Sequence, residues 1–373
     1  MKTFVYRRTD LAKEYCRGLV GDSIPDYRSG LFLAAPRRTG KSTFLQVDLL
    51  PELESNGFLT VYADLWNDRS KDPAHVISEA IQSTLVSYAG LFEKLGAEKL
   101  TIRGMEFNLK ATMLPDNISL NLALKTLSEV AKKPIALVID EAQHALSTKE
   151  GTNTMFALKS ARDTMNIAGQ STRLALVFTG SNRDKLANLT QDHKQPFYGV
   201  KVQRFPVLGK GFAEEFSSYY SKRLSGQKLD PHRIFKAFSL LGLRPEYLKD
   251  SVDSALRKTD SSDEDLNTRI LMEAELTKVS IDNQLKVDLA SLTTTQKAVF
   301  DVLVRNHSHF IPFSEETMHE YAKILGKMPS PGTVRTALET LRRKGFIWKE
   351  SFGGYVLENE NYLSLYNVTA AHE

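Results

Sequence analysis

The chain has 373 residues, 42% apolar and 25% charged, with a formal net charge of +4. That composition suits a globular chain of two or three domains, and its mild basicity permits contact with a polyanion without demanding one. Its single cysteine, Cys16, excludes an intrachain disulfide, argues against a Cys-based metal centre and fits a reducing, cytoplasmic setting.

Asp10 to Leu19 carries Leu11, Tyr15 and Leu19 at helical spacing. The charged stretch before it lacks an apolar core, so no signal peptide is expected. No run approaches the roughly 18 apolar residues of a membrane-spanning helix. The loop from Gly21 to Gly30 precedes the first strand, and Tyr27 or Arg28 could touch a ligand there.

Leu31–Ala34 reads as a buried strand, followed by Ala35-Pro36-Arg37-Arg38-Thr39-Gly40-Lys41-Ser42-Thr43. A strand, a turn and a helix opening at Lys-Ser is the P-loop arrangement, in which backbone N–H groups and a helix N-terminus cradle phosphates. Lys41 would reach the β- and γ-phosphates of ATP, and Ser42 would sit on Mg²⁺. Ala35 stands where the consensus has glycine, so the turn must enter with an ordinary φ. In the helix from Lys41, Phe44, Val47 and Leu50 form one apolar row and Leu45 and Leu49 another, with Asp48 expected to face out.

Phe58–Leu65 is a second apolar strand, ending at Asp64, and a helix from Pro73 to about Phe92 follows. Residues 100–114 alternate around Gly104 and suggest a small hairpin outside the main sheet. After a helix over 118–132, Pro134–Gln143 is an apolar strand ending in Asp140 and Glu141, the Walker B pattern. Asp140 is expected to hold Mg²⁺ through its water shell. Glu141 is expected to orient or deprotonate the attacking water. A helix over 153–167 leads to the strand Arg173–Arg183, whose polar end offers Thr179, Ser181 and Asn182 as γ-phosphate sensors. Asn182 is put forward, although the pattern does not choose among them. Val200–Val207 is an edge-like strand.

Alternating apolar strands and helices predict an α/β fold, a P-loop NTPase parallel sheet covered on both faces, with its site at the strand C-terminal ends. The core is assigned to 1–207. Residues 208–290 read as a helical lid, with helices over 212–224, 231–240, 247–256 and 263–278. Residues 291–373 read as three helices and a hairpin turning near Gly353-Gly354, a winged helix-turn-helix domain, with Ser314 an N-cap. Arg37, Arg38, Arg183, Arg204 and Arg244 are candidate cations for the phosphates, with Arg244, beside Pro245, preferred as a lid sensor.

Taken together, Ala-Pro-Arg-Arg-Thr-Gly-Lys-Ser, Val-Ile-Asp-Glu-Ala-Gln, Phe-Thr-Gly-Ser, Pro196-Phe-Tyr-Gly199, Gly-Leu-Arg-Pro-Glu-Tyr-Leu and the terminal winged helix resemble the archaeal-type P-loop ATPases. Those proteins lie near the AAA+ and STAND ATPases and share a layout with origin-initiator ATPases. The resemblance spans nearly the whole chain. It implies nucleotide and Mg²⁺ roles for Lys41, Ser42, Asp140 and Glu141, and a Gly-x-x-Pro lid motif near the base, ending at Gly242 and Pro245. The family often has Arg where Val200 stands. The Asp-Glu-Ala-Gln box also occurs in superfamily 2 helicases, whose second motor domain has no counterpart in the winged-helix tail.

The function implied is an ATP-binding switch ATPase, slow in turnover, that couples lid closure to movement of the winged helix in association with double-stranded DNA. A signalling module that binds a protein partner or itself, without DNA, is the alternative. Thr333, Arg335, Arg342 and Arg343 are candidate DNA contacts, with Ser330, Thr336, Lys344 and Lys349 nearby. Against strong DNA affinity, residues 291–373 hold 9 Lys/Arg and 9 Asp/Glu.

Overall fold

The computed structural model describes residues 4–93, 99–102, 105–108, 119–167, 172–224, 227–257, 265–349 and 354–366. These form two compact units. One comprises Arg7–Ala35 and Lys41–Phe205; the other comprises Met1–Tyr6, Pro36–Gly40 and Pro206–Glu373.

The first unit is built on five parallel strands in the order β2-β5-β6-β1-β7: β1 (Leu31–Ala34), β2 (Leu59–Asp64), β5 (Ile135–Asp140), β6 (Leu174–Gly180) and β7 (Val202–Arg204). A separate antiparallel pair, β3 (Lys99–Ile102) and β4 (Met105–Asn108), forms the expected hairpin; its turn and residues 109–114 lie outside the described residues. The helices are α1 (Thr9–Val20), α2 (Lys41–Phe44), α3 (Leu50–Ser55), α4 (Pro73–Glu93), α5 (Leu120–Ala131), α6 (Lys149–Met165) and α7 (Arg183–Ala187).

Strand side chains alternate between the two faces, and here both faces are apolar. Phe32, Leu137, Ile139, Leu176 and Phe178 enter one core with α4, α5 and α6. Leu31, Leu33, Ala136, Val138 and Val177 enter the other with α1 and the P-loop helix. On the first face Phe32 and Phe178 stack at 4.5 Å, and Phe197 meets them at 5.3 and 4.8 Å. Full burial of each such ring contributes about 1.5–3 kcal/mol.

Between α2 and α3 the chain makes a π turn, Leu45–Leu49. The wider turn admits an extra residue and shifts the helical phase. As a result Asp48 is buried beside Leu45 and Leu49, and Val47 is only half-buried. The expectation that Asp48 faces out is therefore wrong. Its carboxylate accepts from Arg7 Nε at 2.6 Å and from the Arg8 N–H at 3.1 Å.

In the second unit, α8 (Lys210–Ser221), α9 (Pro231–Leu240), α10 (Pro245–Arg257) and the first half of α11 (Leu266–Ala290) bury Phe212, Phe216, Phe238, Leu248 and Ile270. Phe4 packs edge-on to Phe216 at 5.5 Å. The second half of α11 gives Leu285 and Leu289 to another core, with α12 (Thr294–Asn306), α13 (Glu315–Leu325), α14 (Pro331–Arg343), the strands β8 (Ile347–Lys349) and β9 (Tyr355–Leu357), and α15 (Asn361–Leu365). This is the expected winged helix. Its helix starts are set by side-chain caps from Thr293, Ser314 and Ser330, each worth about 1 kcal/mol. The hairpin turn at Gly353 lies outside the described residues, as does the start of the helix expected from 263. That helix proves to be 25 residues long, and α15 was not anticipated.

Candidate active site

Parallel pairing brings the strand ends into one row: Asp64 lies opposite Asp140, Leu33 opposite Thr179, and Ala34 opposite Gly180. Lys41 follows β1 by one turn of chain. Its Nζ donates to Asp140 Oδ1 at 2.5 Å, to Glu141 Oε1 at 2.9 Å and to Thr179 Oγ1 at 3.3 Å. The ammonium and Asp140 are almost wholly buried, at 6% and 1% side-chain exposure.

Ser42 Oγ donates to Asp140 Oδ2 at 2.6 Å, and Tyr62 OH donates to the same oxygen at 3.3 Å. Thr179 Oγ1 also donates to Asp140. Burial by itself would raise the Asp140 carboxyl, but Lys41 and the hydrogen bonds from Ser42 and Thr179 outweigh it and hold it below its ordinary range. Glu141 is lowered in the same way: burial raises it, and Lys41, Ser181 and Gln143 more than reverse that. Both carboxyls are therefore ionised at pH 7, two carboxylates facing the single Lys41 side chain. Burial and the Asp140 charge push the Tyr62 phenol up, so it stays a donor.

Glu141 occupies the left-handed region, φ 56°, which is unusual for a residue with a side chain. It follows β5 directly and precedes the 3₁₀ turn Ala142–Ser147. Gln143 Nε2 donates to Glu141 Oε2 at 2.6 Å, and Ser181 donates to it through Oγ at 2.7 Å and N–H at 3.2 Å.

The three sensor candidates thus separate. Thr179 serves Asp140 and Ser181 serves Glu141. Asn182 caps α7, its side chain accepting from the Lys185 N–H at 2.8 Å. Gln143 and Tyr62 were not singled out from the sequence. Gln143 lies two residues after Glu141, and Tyr62 lies two before Asp64 on the same strand face, so both spacings were visible.

Ala35 is buried and donates its N–H to Gly180 O at 3.0 Å. Positive φ in this loop falls at Arg38 (68°) and Gly40 (84°), so alanine at 35 needs no glycine-like backbone. Thr43 and Arg37 are exposed.

Within the second unit, Thr39 Oγ1 donates to Pro36 O at 2.8 Å. Arg38 lies 3.5 Å from Glu246 and 5.0 Å from the Tyr247 ring. Arg244 lies 5.6 Å from that same ring. Pro245 opens α10, and Gly242 (φ 67°) and Leu243 (φ 55°) make the turn before it. A Cβ on Gly242 would meet Asn361 Oδ1 at 2.6 Å.

Tyr27 is buried edge-on to Tyr15 at 5.9 Å, and Arg28 is bound to Asp26 at 2.6 Å. Both therefore have structural employment. Arg183 is buried at the start of α7, and Arg204 ends β7.

In the winged helix, Thr333 and Arg335 are exposed on the first turns of α14. Arg342 is folded back on Glu339 at 3.1 Å, with 16% of its side chain exposed. Arg343 donates to Thr340 Oγ1 at 3.3 Å.

No family model matches the chain, and no curated protein does. Among solved structures it is similar to a Walker-type ATPase of Pyrococcus abyssi, with 19% identity, 97% of each chain covered and a TM-score of 0.58. It is also similar to the ORC2 protein of Aeropyrum pernix in its ADP form, with 11% identity, 98% of this chain and 96% of that chain covered, and a TM-score of 0.56. At these identities the likeness is one of fold.

Proposed function

We propose that this chain, which has the fold of archaeal Walker-type and ORC-type P-loop ATPases, is an ATP-binding switch ATPase. The observation that carries the reading is Lys41, buried between Asp140 and Glu141 at the C-terminal ends of parallel strands. A buried lysine held by two acids at a P-loop is a cation waiting for the phosphates.

On this reading the loop from Ala35 to Thr43 cradles the phosphate chain and Lys41 transfers from the acids to the β- and γ-phosphates. Glu141, released from Lys41, takes the proton of the attacking water or orients it. Ser42 and Asp140 fit Mg²⁺. One hydroxyl and one carboxylate are hard oxygen donors 2.6 Å apart, and Mg²⁺ keeps most of its waters and takes few protein ligands. When bound it would neutralise charge on the phosphate oxygens. Arg244 and Pro245 belong to the lid turn on this reading. Asn182 is left to its capping role, and Ser181 takes its place beside Glu141.

The link to the winged helix runs through α11. One continuous helix carries Ile270 and Ala274 in the lid core and Leu285 and Leu289 in the winged-helix core. A movement of the lid would carry the winged helix with it. Its target is proposed to be double-stranded DNA, with Thr333 and Arg335 leading.

A second reading, a protein-interaction module, is favoured by specific observations. Arg342 is tied to Glu339, and Ile311, Phe313, Ile324 and Met328 are exposed on the same domain. Among the described residues no helix is long and apolar enough to cross a membrane.

Titration of ATP with Mg²⁺ into the wild-type chain and Lys41→Ala tests nucleotide binding. Binding by the wild type and none by the variant is expected; equal affinity would refute the assignment. A gel shift of duplex DNA by the full chain at low and high salt then separates the two readings. No shift at low salt favours the protein partner.

A further inference from the structure

Glu141 is gripped asymmetrically. Among the described residues its Oε1 accepts a hydrogen bond from Lys41 alone, at 2.9 Å. Its Oε2 receives three donors, Gln143 Nε2 at 2.6 Å, Ser181 Oγ at 2.7 Å and Ser181 N–H at 3.2 Å. The two oxygens therefore have different work: one faces the P-loop lysine, and the other is fastened to the end of β6 and to the turn after β5.

We propose that Gln143 and Ser181 are positioning residues that clamp the rear oxygen of Glu141, so that its front oxygen faces the attacking water once Lys41 has moved to the phosphates. This inference rests on the ATPase reading above. It assigns Ser181 rather than Thr179 or Asn182 to the working carboxylate, and it gives a role to a glutamine that the nucleotide-binding residues leave unexplained.

Three further features support the clamp. Gln143 is buried, at 7% exposure, and its Oε1 has no hydrogen-bond partner among the described residues. A buried amide that leaves its acceptor unpaired, at a cost of about 1–3 kcal/mol, is held by what its other end does. Turned over, it would set an oxygen against a carboxylate, so Glu141 fixes its orientation.

Gly180 makes room for the amide. A Cβ there would lie 2.4 Å from Gln143 Oε1, its next neighbours being 3.3 Å away. Gly180 is the last residue of β6 and its φ is not positive, so a side chain there would meet no backbone strain and would instead push the Gln143 amide out of place. Finally, the left-handed backbone of Glu141 turns the chain sharply enough for Gln143 to reach back to the carboxylate two residues before it. Such conformations persist only where surrounding contacts impose them.

The test uses the full chain. ATP turnover and ATP affinity are measured for wild type, Gln143→Leu, Ser181→Ala, Ser181→Thr and Gly180→Ala. A carboxylate free to swing by about 1 Å loses on the order of a hundredfold in rate. Gln143→Leu and Ser181→Ala are therefore expected to lower kcat by about tenfold to a hundredfold while the dissociation constant for ATP stays within twofold.

Ser181→Thr, which keeps the hydroxyl, should restore most of the rate. Gly180→Ala, which removes no hydrogen-bonding group, should resemble Gln143→Leu. Rates within twofold of wild type for Gln143→Leu and Ser181→Ala would overturn the clamp, and so would losses that follow ATP affinity or a Ser181→Thr no better than Ser181→Ala. A wild-type chain that binds ATP without ever hydrolysing it would instead overturn the ATPase reading, and the clamp with it.

Discussion

Replacing Lys41 by methionine keeps the apolar stem of the side chain and removes only the charge. In the wild type that charge sits 2.5 Å from Asp140 and 2.9 Å from Glu141, with all three side chains at or below 14% exposure. Without it, two buried carboxylates face each other with hydrogen bonds but no cation. Breaking a buried pair in this way costs about 3–5 kcal/mol. For a unit of this size that lowers Tm by on the order of 10 °C.

The pH dependence has a definite sign. In the wild type both carboxyls are lowered, so their contribution to stability is present above the ordinary carboxylate range and is lost as pH falls through the lowered values. In Lys41→Met, burial and mutual repulsion raise them instead. One carboxyl then takes a proton readily, and the deficit shrinks as pH falls from 7 towards 5. Urea denaturation of both proteins at the two pH values is the assay. A cost below about 1 kcal/mol at pH 7, unchanged at pH 5, would refute the view that Lys41 is the counter-ion of this cluster.

Arg7→Ala strands Asp48, whose side chain is 1% exposed, while Arg7 itself is half-exposed and partly screened. A loss of about 1–3 kcal/mol in chemical denaturation is expected, and no measurable loss would mean that Asp48 does not depend on the pair. Cys16 is buried at 2% exposure, and burial pushes its thiol up from 9.0 to about 11. In the native chain at pH 8 it should react with a disulfide reagent far more slowly than in urea; equal rates would contradict its burial. Because the fold favours the neutral thiol, its contribution to stability is intact below 9.0 and is lost as pH rises to about 11.

The sheet and the site were legible for a common reason. Continuous apolar runs ending in polar residues, such as Ile135–Asp140 and Leu174–Gly180, mark parallel strands whose ends meet, so Lys41, Ser42, Asp140 and Glu141 could be grouped from the chain alone. Asp48 was misread because sequence periodicity assumes 3.6 residues per turn, and the π turn at Leu45–Leu49 changes that phase. Asn182, Ser181 and Thr179 were inseparable because strand alternation says which face a residue takes, not which acid it meets. Their partners depend on the register of β5 against β6 and on the turn at Glu141. The full length of α11 was missed because its apolar residues serve two different cores and so change face midway.

The central claim is that Glu141 serves hydrolysis and not binding. Its most direct test is a paired measurement on Glu141→Gln, ATP affinity in the presence of Mg²⁺ and steady-state release of phosphate. The account predicts an affinity close to wild type and a turnover reduced by at least about a hundredfold. Normal turnover in Glu141→Gln, or loss of ATP binding in that variant, would contradict it.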